Sequence, residues 1–240
     1  MAMLEVSKVT KRFGGLVAVS DLDMTVNEGQ ILGLIGPNGA GKTTVFNMIA
    51  GYYKPDGGQI IFQGEDITGL KPYKVCKRGI ARTFQTTKPF LESSLVDNVV
   101  IGALMQDHNA ARARKIALDI VEMLEFGELA QAAGHELTVP DRKRLEIARA
   151  LATGAQLVLL DEPMAGLTPT EKAHTINLLQ RINEQGITLV VVEHDMKAVM
   201  TLCPHIVLLD RGEKLVEGTP QEVTSDPRAI TAYLGEEYAA

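Results

Sequence analysis

The stretch Gly36-Pro37-Asn38-Gly39-Ala40-Gly41-Lys42-Thr43-Thr44 decides the reading of this chain, because it fits the phosphate-loop pattern GxxxxGK[ST] at every fixed position. The apolar run Ile31 to Ile35 before it reads as a buried strand. Val45, Phe46, Met48, Ile49 and Ala50 after it read as a helix, closed by Gly51 where a C-terminal glycine belongs. Strand, glycine loop and helix in that order give a phosphate its site: glycines let successive N–H groups turn inward, and the helix start adds about half a positive charge. Lys42 is expected to face solvent until it reaches the β- and γ-phosphates, and Thr43 offers a hydroxyl to a magnesium ion bridging them. A bare strand-to-helix turn would need Gly36, Gly39 and Gly41 but not Lys-Thr at that spacing.

With 240 residues the chain can bury one large α/β core carrying an insert. A formal net charge of −6 argues against a dedicated nucleic-acid surface, and no nucleic-acid partner is expected. Cys76 and Cys203 are the two cysteines and form no CxxC pair, so both read as packing residues in a reducing compartment. The start MAMLEVSKVTKRF lacks the apolar core of a secretion signal. The apolar run Val99 to Met105 falls far short of the roughly 20 residues of a spanning helix. Any membrane role is therefore expected to come through a partner.

Leu4, Val6 and Val9 suggest a first strand, and Leu22, Met24 and Val26 a second, joined as a hairpin across Gly14-Gly15. Phe13, just before that turn, either stacks on a base or belongs to the core. Gln59 to Phe62 reads as a strand, Pro72 to Arg78 as a short helix, and Ile80 to Phe84 as a strand that delivers Gln85. The Gln85 amide oxygen either enters a metal's coordination shell or is an ordinary loop group.

From 86 to 153 the pattern is helical and reads as an insert. Ala113, Ile116, Ala117, Ile120, Val121 and Leu124 make one apolar stripe, and a further helix runs from about Arg142 to Ala152. The core, 1–85 and 154–240, resumes at Leu157-Val158-Leu159-Leu160, a strand apolar on both faces that ends in Asp161-Glu162. Ligands of open α/β sheets bind outside the carboxyl ends of the strands. There Asp161 would hold magnesium through water and Glu162 would accept a proton from an attacking water, the bland alternative being a helix cap or surface turn. Thr168, Pro169 and Glu171 start a helix that runs to about Gln185. Ile187 to Val192 forms a strand ending in Glu193-His194-Asp195, which puts His194 near the γ-phosphate unless it is merely structural. Strands near Ile206 to Leu209 and Lys214 to Glu217, then two short helices, complete the chain.

The set Phe13, GPNGAGKTT, Gln85, LVLLDE and His194, in that order around a helical insert, resembles the nucleotide-binding subunits of ABC transporters. The segments FGGLVAV, ARTFQ, LEIARAL, VEHDM and AYLGEE look like the branched-chain amino-acid importer ATPases. The lipopolysaccharide-export ATPase is the nearest competing subfamily, and a non-transport ABC protein that remodels a nucleic-acid complex is a further alternative. The resemblance implies a P-loop NTPase core of ABC type with an N-terminal antiparallel β subdomain and an inserted helical subdomain. It implies ATP and Mg2+ as cofactors, integral membrane permease subunits as partners, and a cytoplasmic, peripheral place on the inner face of the membrane. Phe13 would stack on adenine, Gln85 sense magnesium, Glu162 act as base and His194 hold the γ-phosphate, with two such subunits head to tail closing each other's sites.

At the signature, where many relatives read LSGGQ, this chain has Leu137-Thr138-Val139-Pro140-Asp141. Pro140 lacks an N–H, Val139 lacks glycine's freedom, and Asp141 is expected to place negative charge toward the partner's γ-phosphate. Loss of a charge-assisted hydrogen bond costs roughly 1.5–3 kcal/mol. A heterodimer with a different ATPase subunit is therefore expected over a homodimer. The position of the D-loop is also unusual, with Thr168 where aspartate or asparagine is common.

Overall fold

The computed structural model describes residues 1–84 and 88–234. The chain opens with β1 (Ala2–Phe13) and β2 (Leu16–Asn27), antiparallel and joined at Gly14-Gly15, with Phe13 opposite Leu16. Both strands are longer than the apolar alternation alone indicated, because pairing continues through residues whose side chains face solvent. After β3 (Ile31–Ile35) and helix α1 (Lys42–Ile49), strand β4 (Gly57–Phe62) pairs antiparallel with β1. The two-residue β5 (Glu65–Asp66) completes a four-stranded sheet in the order β2-β1-β4-β5.

Helix α2 (Pro72–Lys77) leads to β6 (Ile80–Arg82), which stops two residues short of the expected Phe84. The edge strand has one neighbour, and its last ladder bond is Thr83 N–H to the Leu159 carbonyl. Three helices follow, α3 (Leu95–Ala103), α4 (Ala110–Met123) and α5 (Val139–Ala152), and α3 packs against both of the others. On α4 the residues Ala113, Ala117 and Val121 are buried and Ile116 and Ile120 partly so, as the stripe requires. The exposed Lys115–Asp119 pair on its outer face contributes at most about 0.5 kcal/mol.

The remaining elements are β7 (Leu157–Asp161), α6 (Pro169–Glu184), β8 (Thr188–Val192), α7 (Met196–Leu202), β9 (His205–Asp210), β10 (Glu213–Gly218), α8 (Pro220–Ser225) and α9 (Pro227–Leu234). They build a six-stranded sheet in the order β10-β9-β3-β8-β7-β6, parallel except for β10 at one edge. Successive side chains of a strand point to opposite faces. Leu157 and Leu159 thus join Leu32, Leu34, Val190 and Val192 in a core shared with β1, β2 and α1. Val158 and Leu160 join Ile35, Leu189, Val191 and Ile206 in a second core beneath α3 to α7. The parallel sheet is the middle layer, which explains why its strands read as unbroken apolar runs.

Both cysteines are free, and burial pushes the Cys203 thiol up to about 12 and raises that of Cys76, consistent with packing roles. Among the described residues no helix is long and apolar enough to cross a membrane. The strand order brings the carboxyl ends of β3, β8 and β7 side by side, so residues 36–44, 193–194 and 161–162 meet on one rim.

Candidate functional site

The loop between β3 and α1 is fixed by close backbone approach. Gly36 has φ 148°, and a Cβ there would lie 2.1 Å from the Leu209 carbonyl oxygen of β9. Gly41 has φ 102° and would place a Cβ 2.6 Å from the Ala18 carbonyl oxygen of β2. Gly41 is also the N-cap of α1, so no side chain competes for the first-turn N–H groups and they stay available to an anion.

These groups open on a cleft of about 540 Å³, a size suited to a nucleotide. Phe13, Leu16 and Val17 of the hairpin form one wall, residues 38–44 the floor, and Glu162 and His194 the far side. Phe13 is 41% exposed and meets the edge of Tyr53 at 5.2 Å between centroids, so it is a wall of the cleft and not a core residue. Arg211, at the turn between β9 and β10, also lines the cleft. Sequence reasoning singled out neither Tyr53 nor Arg211; an isolated aromatic and a turn arginine carry no spacing signal.

Lys42 corrects an expectation. Its side chain does not face solvent but folds into the loop, Nζ donating to the carbonyls of Gly36 at 2.6 Å and Pro37 at 2.9 Å, with only 6% of the residue exposed. Two of the three ammonium donors are thus occupied by loop carbonyls. Burial lowers its pKa, against the pull of Glu162 and Asp161. Thr43 is exposed on the cleft floor and Thr44 is half-buried.

At the end of β7 the two carboxylates separate. Asp161 is buried, its Oδ2 accepting from Arg82 at 2.8 Å and its N–H donating to Thr83 Oγ1 at 3.1 Å. Oδ1 of Asp161 is buried with no partner among the described residues. Arg82 also donates to Asn47 Oδ1 and lies 5.4 Å from the Phe84 ring centroid. Glu162 stands in the left-handed region, φ 49°, a conformation that costs a non-glycine residue on the order of 1 kcal/mol. Its N–H donates to the Val192 carbonyl at 2.9 Å, and Lys143 Nζ donates to its carbonyl at 2.7 Å. Its Oε1 lies 3.0 Å from His194 Nε2, so the predicted base and histidine are joined.

Glu193 is buried and ties β8 to the turn after β7, Oε1 accepting from Met164 N–H at 2.7 Å and Oε2 from His194 N–H at 3.2 Å. Burial raises its pKa. Gln85 lies outside the described residues. No group of three or more His, Cys, Asp or Glu among the described residues could cage a metal. The Thr43 hydroxyl on the cleft floor and the orphaned Asp161 oxygen are the hard oxygen donors magnesium takes, few of them from protein, although Asp161 lines the small cavity with Thr83 and Lys143 and not the cleft itself.

The stretch 137–141 is a helix start. Thr138 is the N-cap of α5, which begins at Val139 instead of Arg142, with Pro140 in its first turn and Asp141 closing a capping box. Two of the five expected surface residues therefore do not present themselves. Leu137 is buried in the helical core, where an apolar side chain before a cap packs inward. Asp141 is 8% exposed and bound to Thr138 and, at 2.6 Å, to Arg144. Burial works to raise its pKa, yet the Thr138 hydroxyl and the Arg144 guanidinium hold it below the ordinary aspartate value. Its charge is answered within the chain, contrary to the expectation of charge projected outward. Thr138 and Val139 are exposed and Pro140 half-buried. Thr168 caps α6 with Glu171 as expected.

A family model described as ABC transporter matches residues 19–165, and one described as branched-chain amino acid ATP-binding cassette transporter matches residues 213–239. The high-affinity branched-chain amino acid transport ATP-binding protein BraF of Pseudomonas aeruginosa is 39% identical across 98% of both chains. The lipopolysaccharide export system ATP-binding protein LptB of Escherichia coli is 33% identical across 99% of both. Among solved structures, the ADP conformation of MJ1267, an ATP-binding cassette of an ABC transporter, matches with a TM-score of 0.90 and 31% identity over 98% of this chain and 100% of that one. The dimeric cassette MJ0796 bound to ADP and Pi matches with a TM-score of 0.81 and 27% identity over 91% of this chain and 99% of that one.

The buried Arg82–Asp161 pair yields a stability test. Removing one partner of such a pair strands a charge, at a cost of about 3–5 kcal/mol. Arg82→Met is expected to lower unfolding stability by that order in urea titration, and adding Asp161→Asn is expected to recover most of the loss. Wild-type stability in Arg82→Met would show that the pair carries no such load.

Proposed function

From the premise that this chain belongs to the ABC transporter family of ATP-binding cassettes, we propose that it is the ATP-hydrolysing motor subunit of a membrane importer for branched-chain amino acids. The observation that carries the reading is the Glu162–His194 contact of 3.0 Å, facing a phosphate loop across adjacent strand ends. The match of residues 213–239 to the branched-chain transporter family supports the amino-acid class, and the higher identity to BraF than to LptB favours import over lipopolysaccharide export.

In this reading Phe13 stacks on adenine while the N–H groups of residues 36–44 and the start of α1 hold the phosphates. Lys42 exchanges the carbonyls of Gly36 and Pro37 for the β- and γ-phosphates, trading neutral acceptors for charged ones. Thr43 and Asp161 would hold Mg2+, with Gln85 assigned to the same shell by resemblance, and the ion would supply neutralising charge to the transferring phosphate. Glu162 takes the proton of the attacking water, and His194 orients Glu162 and the γ-phosphate together. The chain works beside integral membrane permease subunits, peripheral on the inner face of the membrane, with no nucleic acid involved.

Its partner cassette is a different ATPase subunit. The altered start of α5 supports this reading: Pro140 offers no N–H, and the backbone there lacks the glycines that admit a phosphate, so the site this face completes is the weaker of two. This chain's own loop has the groups of a working site.

Two substitutions test the assignment. Lys42→Ala is expected to abolish tight ATP binding with the fold retained; unchanged affinity in equilibrium titration would sink the phosphate-loop reading. Glu162→Gln is expected to bind MgATP normally and turn over about a hundredfold more slowly in the assembled complex. Turnover near the wild-type rate would remove Glu162 from the role.

A third test addresses asymmetry. Joint replacement Val139→Gly and Pro140→Gly is expected to raise hydrolysis at the partner's site, read in complexes with one site inactivated. Asp141→Gln alone is expected to leave that rate unchanged, since the Asp141 carboxylate is already bound within the chain. Equal rates at the two sites, unmoved by the glycines, would count against unequal sites.

A further inference from the structure

The backbone of Glu162 is held at both of its polar atoms by groups distant in sequence. Its N–H extends the β7–β8 ladder to the Val192 carbonyl, and its carbonyl accepts Lys143 Nζ at 2.7 Å as well as the local turn bond from Ala165 N–H at 3.2 Å, which Lys143 reinforces. Between those anchors the residue sits at φ 49°, a conformation that a glutamate leaves readily unless its surroundings hold it. Relaxation of φ by rotation about the N–Cα bond would carry the carbonyl off Lys143 and swing the side chain away from His194, because both leave the Cα.

We propose that Lys143 is a positioning residue for Glu162, a tie from helix α5 that fixes the peptide of the base and so aims its carboxylate at the cleft. Lys143 lines a small cavity with Thr83, Phe84, Asp161 and Pro163, behind the carboxylates and not in the nucleotide cleft. It therefore acts on the base from behind and touches no phosphate. The ammonium is half-buried; burial lowers its pKa, and the neighbouring Glu193, Glu162 and Asp161 pull the other way. Among the described residues the hydrogen-bond acceptor of this lysine is the Glu162 carbonyl. Lys143 stands about one and a half turns beyond Thr138 on the same helix. The outward face at the start of α5 and the peptide of the base are thus held by one rigid element.

This inference rests on Glu162 being the base, and the experiment separates the two. Steady-state hydrolysis and equilibrium MgATP affinity are measured for the full chain in its assembled complex, as Lys143→Met, Lys143→Arg, Glu162→Gln and the double variant Lys143→Met/Glu162→Gln. Lys143→Met is expected to lower kcat about tenfold, the scale of a small misplacement of a reacting group. KM and MgATP affinity should stay within about twofold, since the phosphate groups are untouched, and Lys143→Arg should recover most of the rate. On the Glu162→Gln background, Lys143→Met is expected to cost nothing further, because there is no base left to aim. An unchanged kcat, a loss appearing as raised KM, or an equal tenfold loss on the Glu162→Gln background would each overturn the role. If Lys143→Met does not fold, Lys143→Gln, with a shorter donor, takes its place under the same criteria. Near-normal turnover of Glu162→Gln would bring down the reading of Glu162 and this inference with it. A slow Glu162→Gln beside a wild-type Lys143→Met would overturn Lys143 alone.

Discussion

The carbonyl oxygen of Leu209 lies where a side chain on residue 36 would have to stand, and the rest of the site follows from that contact. The loop can turn from β3 into α1 only by passing within van der Waals reach of β9 on one side and of β2 on the other. Only glycine satisfies both the approach and the positive φ. The result is a loop that leads into α1 with no side chain capping the first-turn N–H groups. Lys42 fills part of that concavity itself, its ammonium shared between two loop carbonyls. The loop is therefore shaped by the strands that surround it.

Charge at the rim of the sheet is distributed by burial and pairing. Asp161 is held by Arg82, Glu193 is held by two backbone N–H groups, and Glu162 meets His194. Three carboxylates on one rim would repel one another in a low-dielectric setting. Giving each a separate partner keeps the nearest one to the cleft, Glu162, available for chemistry while the other two stabilise the turn after β7 and the edge strand β6. The pairing also explains why the residues look so different in exposure although two of them are neighbours in the chain.

The start of α5 shows how a family pattern can change without loss of fold. Thr138, Pro140 and Asp141 form a well-capped helix terminus, reinforced by Arg144 over the Phe126 ring at 4.7 Å. A helix N-terminus satisfied by its own carboxylate has less to offer an outside anion. The start of α5 is thus stabilised by groups of its own chain.

What the sequence determined by itself was local. The phosphate loop, the hairpin at Gly14-Gly15, the stripe of α4, the capping box at Thr168 and the apolar runs of β3, β7 and β8 are all written in neighbouring residues, because spacing, turn chemistry and periodicity act over a few positions. The candidate residues Phe13, Lys42, Thr43, Glu162 and His194 were legible for the same reason, each standing at a marked strand or loop end. Tertiary structure decided the rest. That Asp161 is claimed by Arg82, that Leu137 is core, and that Lys143 reaches Glu162 depend on groups distant in the chain meeting across packed layers, while the inward turn of Lys42 and the Asp141 cap are local contacts whose burial the packed chain completes. Whether a polar side chain faces solvent, a ligand or a buried partner is set by which of them desolvates it, and that is a property of the packed chain rather than of any stretch of it.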